Sequence, residues 1–343
     1  MDTMKKQTFH TIIIGAGPAG LSCARALAAQ GKKVLVCERN RTIGPKTCAG
    51  GVTWAGIRSA IPEQLIERQF PVQNVSSSLQ KTRLIGQEPM VSTINRGRLG
   101  QWMAKAAAVA GAEIVTHTLV TKIDKAAIHT NRGTFTFDFL VGADGANSLV
   151  RRHLGLPVEN MGIGIQYHIP TSLPDMVWHL DPGHFNTGYC WIFPQARRTS
   201  VGAYCCRSHL SPRLLKKSLH TWLEHKKINV QGLRPEAATI NFDYRGWRFN
   251  NIFLAGDAAG LASGLTGEGI VPAIISGEEI AEIIVNPHHH PHRLNRLLSN
   301  HKRHSRLLRA AGKNRWGCRL IMESLLLALK LKLIPFSALE MAN

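Results

Sequence analysis

Several short runs in this chain set small residues beside one that can hold an anion or transfer a proton. The first is Gly15-Ala16-Gly17-Pro18-Ala19-Gly20. Its chemistry is phosphate binding. Gly15 permits a tight turn, Gly17 lets backbone approach a pyrophosphate, and Gly20 allows a helix to pack close to the preceding strand. Unpaired N–H groups at the helix N-terminus then face the anion. Glu38 ends the next strand, where it would accept hydrogen bonds from a ribose diol, with Arg39 beside it in the same site. Two acid–glycine turns, Asp144-Gly145 and Gly256-Asp257, offer further places for backbone to approach a cofactor. Proton donors come from two other runs. Cys48, followed by Ala49, Gly50 and Gly51, carries a thiol that is protonated at neutral pH. Glu268, within Gly267-Glu268-Gly269-Ile270, becomes an acid if burial raises its pKa. Tyr189, Trp191 and Phe193 alternate, so they share one face of a strand.

The elements that must position these groups are legible. Thr11–Ile14 reads as a buried strand, the run after Gly20 as a helix stopping at Gly31, and 33–37 as a second strand. Phe137–Val141 leads into Asp144, and Asn251–Ala255 into Gly256 and Asp257. A helix opening after the Gly267–Ile270 run ends near Val285, with Pro272 in its first turn. Arg96 opens another helix after Asn95. Met176–Leu180 and Thr199–Cys206 read as strands beside the aromatic one. The pattern is α/β.

Composition narrows the class. In 343 residues, 42 Lys and Arg face 22 Asp and Glu, a net charge of +20, which favours polyanionic partners. Seven irregularly spaced cysteines indicate a reducing, cytoplasmic setting. Lys5 and Lys6 before an apolar stretch imitate a leader peptide, but glycines, Pro18 and Arg25 break the pattern, so cleavage is not expected. Residues 288–343 hold eleven Lys and Arg against Glu323 and Glu340. Such a basic helical region suits either docking on an anionic membrane surface or packing with a solvated face. No recognition motif for nucleic acid accompanies it. The His288–His290 and His292 cluster reads as a linker, so no metal is expected.

The three glycine and acid boxes, in this order over residues 11–285, resemble the FAD-dependent oxidoreductases built on the p-hydroxybenzoate hydroxylase fold. The resemblance implies FAD as cofactor, with Asp144 near the pyrophosphate, Asp257 on the ribityl side, and the helix after Ile270 facing the ring. It also implies Arg96 on the cofactor phosphates, against the alternative of a solvent-exposed cap. Lys46–Gly51 together with Gly188–Pro194 resembles the geranylgeranyl reductases, where a Cys-Gly-Gly segment lies beside the flavin and a Tyr-x-Trp-x-Phe-Pro segment lines a prenyl tunnel. Ala49 is an insertion in that segment, and Glu268 stands where those reductases usually carry glycine. The implied architecture is a discontinuous FAD-binding Rossmann-like domain (1–71, 96–156 and 246–287). An interleaved antiparallel-sheet substrate domain (72–95 and 157–245) and the helical region 288–343 complete it.

The activity implied is reduction of isolated C=C bonds in a polyprenyl lipid, diphosphate or quinone. Cys48 or Glu268 would be the acid, and Gly50, Gly51, Tyr189, Trp191 and Phe193 would line the substrate site. Only one complete dinucleotide fingerprint is present, so NAD(P)H would dock transiently or another electron donor would serve. An aromatic hydroxylase, a halogenase-like enzyme and a non-catalytic lipid-carrier-binding flavoprotein are the competing readings.

Overall fold

The computed structural model describes residues 7–342; Lys5 and Lys6 lie outside them. The chain opens with strand β1 (Gln7–Ile14), helix α1 (Pro18–Ala29) and strand β2 (Val34–Cys37). A first excursion follows: β3 (Gly51–Thr53), α2 (Trp54–Ala60), β4 (Ile66–Phe70), β5 (Val72–Ser77), β6 (Lys81–Ile85) and β7 (Val91–Ile94). The chain returns through α3 (Arg96–Val109), β8 (Glu113–Val115), β9 (Val120–Ile123), β10 (Ala127–Thr130), β11 (Gly133–Gly142) and α4 (Leu149–His153). A second excursion comprises β12 (Met161–Ile169), β13 (Val177–Leu180), α5 (Pro182–Phe185), β14 (Tyr189–Pro194), β15 (Thr199–Cys206), α6 (Pro212–His225) and β16 (Glu236–Asn241). Strands β17 (Arg248–Phe249) and β18 (Ile252–Leu254) precede helices α7 (Ile270–Val285), α8 (His292–Gly312) and α9 (Arg315–Lys330).

The first sheet has a parallel core in the order β18–β11–β1–β2–β8. Strand β2 is buried on both faces, which is why it is apolar throughout instead of alternating. Helices α1 and α7 pack closely on each other. A Cβ at Gly277 would strike the Ala19 carbonyl, so only glycine permits the approach.

The second sheet runs β16–β12–β15–β14–β13–β5–β6 and is antiparallel except where β13 meets β5. Strands β13 and β15 flank β14 on its two sides. The alternation along β14 sorts its residues as expected. Cys190 and Ile192 join the core under α6, with Leu215, Leu219 and Trp222. Tyr189, Trp191 and Phe193 face the other way, with Trp178 and Tyr204. A small sheet, β3–β7–β4, links the two larger ones, and the Thr93 hydroxyl donates to the Pro194 carbonyl at 2.8 Å. All seven cysteines are free. Among the described residues, no helix is long and apolar enough to cross a membrane.

Candidate functional site

A cavity of about 290 Å³ takes its walls from both large sheets and from the segment after α9. Its lining includes Gly17, Pro18 and Ala19 at the start of α1, with Arg96, Gly145 and Asp257. Cys48, Gly50 and Gly51 and the run Gly267–Ile270 also face it. Trp178, Tyr189, Trp191, Phe193, Leu325 and Leu329 supply its apolar and aromatic lining.

The glycines of the first turn divide by task. A Cβ at Gly15 would meet the Ala143 backbone, and one at Gly20 the Gly15 carbonyl, so these two serve the turn and the close packing. Gly17 has nothing within 4 Å of its missing Cβ, and Gly145 likewise faces open space. Those two give backbone access to a ligand. Arg96 stands half-buried on the cavity wall. Its Nε and Nη1 are buried and have no hydrogen-bond partner, which a solvent-exposed cap would not show. A buried, unpaired guanidinium is costly unless an anion completes it, and the pyrophosphate of FAD has the required chemistry. The residues present therefore fit the cofactor.

Other expected contact residues are held by hydrogen bonds within the chain or face solvent. Glu38 is buried beneath the glycine turn, where its carboxylate accepts the Ala16 N–H at 2.9 Å and the Asn40 N–H at 2.8 Å. Arg39 is exposed to solvent and does not line the cavity. Asp144 accepts N–H groups from Leu149 and Val150 at the start of α4, at 2.6 and 3.3 Å. Burial pushes its pKa up, against these hydrogen bonds, and its Oδ1 is buried without a partner. Gly15, Ala16, Gly20 and Gly256 also lie off the wall. Gly256 packs instead against Ala19 and Ala273.

At the middle of the cavity, the Cys48 sulfur accepts the Gly50 N–H at 3.4 Å. A Cβ at Gly51 would stand 2.7 Å from the Phe193 ring, so this glycine makes room for the aromatic wall. The Tyr189 hydroxyl donates to the Thr266 carbonyl at 2.5 Å and the Tyr204 hydroxyl to Gly264 at 2.9 Å. These bonds tie the loop before α7 to the second sheet. Glu268 is buried. Burial pushes its carboxyl up to about 7, against N–H donation from Met341 at 2.8 Å and the Thr53 hydroxyl at 3.4 Å.

Sequence reasoning passed over several groups that the fold brings here. Lys46 pairs with Asp257 at 3.1 Å. Arg151 is almost wholly buried and donates to the carbonyls of Pro157, Asp243 and Ala258, holding the turn that carries Asp257. Phe336, Leu339 and Glu340 also line the cavity. Glu340 offered one signal: a lone acid in an apolar stretch. Among the described residues, no His, Cys, Asp and Glu group could hold a metal ion.

Comparison with known proteins agrees with this geometry. The FAD binding domain family matches residues 8–285. An uncharacterised protein of Methanosarcina barkeri is 30% identical over 302 residues, covering 83% of this chain and 76% of that relative. Digeranylgeranylglycerophospholipid reductase 1 of Methanopyrus kandleri is 28% identical, covering 81% of this chain and 80% of its own. A geranylgeranyl bacteriochlorophyll reductase-like protein of Thermoplasma acidophilum shares the fold, with a TM-score of 0.74 at 19% identity over 90% of this chain and 92% of that one. The chain thus belongs to the FAD binding domain family, as an FAD-dependent oxidoreductase related to the geranylgeranyl reductases.

Proposed function

We propose that the protein saturates isolated C=C bonds in the polyprenyl chain of an amphiphile with an anionic head. The observation that carries this reading is one cavity whose lining combines Gly17, Gly145 and Arg96 with the aromatic side chains of Trp178, Tyr189, Trp191 and Phe193. When bound and reduced by NAD(P)H or another two-electron carrier, FAD supplies a hydride. The chain's own residues do the rest. Gly50 and Gly51 let a slender chain pass the aromatic wall, and the apolar walls exclude water from the reacting carbons. Cys48 and Glu268 are the two acids of the sequence reading that reach this cavity.

Helix α9 supports delivery from a lipid surface. Its inner residues Met322, Leu325 and Leu329 line the cavity. On its outer side Trp316, Leu320 and Leu327, with Leu331 just past its end, are 81, 69, 46 and 58% exposed. Their spacing places them on one stripe, and Lys313, Lys330 and Lys332 are exposed beside it. Apolar side chains among cations suit an anionic leaflet, here on the cytoplasmic side, in keeping with seven free thiols.

The test is anaerobic. Holoenzyme with photoreduced flavin is mixed with geranylgeranyl diphosphate and, separately, with digeranylgeranylglyceryl phosphate. Flavin reoxidation with gain of one hydrogen pair per reduced bond is expected for at least one of them. Flavin that stays reduced with both refutes the reading, and oxygen incorporation into an aromatic substrate would favour a monooxygenase.

A further inference from the structure

We propose that Glu268 and Glu340 work as one acid, a carboxyl pair at the cavity wall that protonates the substrate alkene, with Glu340 as the member no sequence feature had assigned. The inference rests on the prenyl-reductase reading above.

Both carboxyls line the same cavity, yet they come from opposite directions. Glu268 stands in the loop that opens α7, and Glu340 follows the short helical turn Phe336–Leu339. The two segments are joined at the pair, because the Met341 N–H donates to Glu268 Oε2 at 2.8 Å. Met341 is fully buried, and its carbonyl accepts from the Asn300 side chain at 3.2 Å. Glu340 is only 5% exposed, and its Oε2 has no hydrogen-bond partner. An unpartnered carboxyl oxygen in an apolar cavity is poised to hold a proton and give it to a ligand.

Like charges in one dry site cannot both ionise, so the pair keeps a proton at neutral pH. Burial first, and then Glu268, push Glu340 up to about 7. The other titratable groups on the wall are Lys46, Arg96, Asp257, Cys48, Tyr189 and Tyr204, and Lys46 is paired with Asp257.

In the step, the carboxyl O–H breaks and the alkene π pair forms a C–H bond with that proton. The hydride, drawn from a nicotinamide or equivalent two-electron donor through the cofactor, forms the second C–H bond. The carboxylate left behind is reprotonated from solvent.

The experiment uses the FAD-loaded full chain, with infrared difference spectra recorded between about pH 5.5 and pH 8.5, the range in which a strongly raised carboxyl titrates. The wild type should show a protonated-carboxyl band titrating near neutrality. That band should be diminished in Glu340→Gln and in Glu268→Gln and absent in the double variant. Prenyl reduction should fall about a hundredfold in Glu340→Gln, within the span of general acid catalysis, and its pH profile should lose the limb that the band reports. An unchanged band and rate in Glu340→Gln would overturn the pair. If Glu340→Gln does not fold, Glu268→Gln tests the same band from the other side. If the wild type reduces no prenyl chain, the substrate reading fails, and with it the assignment of the pair to an alkene.

Discussion

Replacing Arg96 by methionine should separate two quantities that usually fall together. The side chain presents Nε and Nη1, both buried and both without a hydrogen-bond partner in the chain. Methionine keeps much of the volume and removes the charge. Because an unpaired buried guanidinium stabilises nothing, the apo variant should melt no lower than the wild-type apoprotein. Cofactor binding should suffer the opposite effect. A hydrogen bond to a charged group is worth about 1.5–3 kcal/mol, so the phosphate contacts together contribute at least about 3 kcal/mol, a little over a hundredfold in Kd. With free FAD at about 100 times the wild-type Kd, the cofactor stabilises the wild type by about 2.7 kcal/mol and the variant by under about 0.5 kcal/mol. Differential scanning fluorimetry with and without FAD, beside a fluorescence titration of FAD, reads both. A variant that melts lower as apoprotein yet binds FAD as tightly as the wild type would refute the assignment and make Arg96 a structural residue.

Other outcomes follow from named contacts. Gly51→Ala should push against the Phe193 ring 2.7 Å away, raising KM for a prenyl substrate while FAD affinity stays unchanged; adding Phe193→Leu should restore part of the loss, as a double-mutant cycle would show. Arg151→Met strips donors from the carbonyls of Pro157, Asp243 and Ala258 and should destabilise the fold by about 3–5 kcal/mol in urea unfolding. Glu268 has its pKa raised to about 7 in the folded chain. The folded state therefore holds more protons than the unfolded state above the ordinary carboxyl range, and stability falls as pH rises toward 7. The fall from this group is about 3 kcal/mol, and denaturation curves of Glu268→Gln should show a correspondingly flatter pH dependence. Exchanging Trp316, Leu320 and Leu327 for glutamate should abolish co-sedimentation with phosphatidylglycerol vesicles while leaving the FAD spectrum intact.

Which parts were legible depends on how local their causes are. The first glycine turn was readable because its strand, turn and helix are contiguous and each glycine answers a steric demand. The two faces of β14 were readable for a similar reason, since period-two alternation assigns Tyr189, Trp191 and Phe193 to one side without knowledge of the rest. Glu38 and Asp144 stand out in the sequence at the ends of their strands, whereas their backbone N–H partners, Ala16 and Asn40 for one and Leu149 and Val150 for the other, do not. Spacing marks the position of a carboxylate, whereas its partner depends on loop paths that no spacing encodes. The Lys46–Asp257 pair and the lining of the cavity by Phe336, Leu339 and Glu340 were illegible, because each joins segments far apart in the chain through contacts with no periodic signature.

The strand order carries a consequence for how the protein is made. Strand β11 lies between β1, from the beginning of the chain, and β18, which emerges about a hundred residues after β11 ends, and α7 must then reach back to α1. A nascent chain still being translated through the second sheet has a glycine turn but lacks the Asp257 and Gly267–Ile270 walls. The cavity is therefore complete only once α7 has docked against α1 at the end of synthesis.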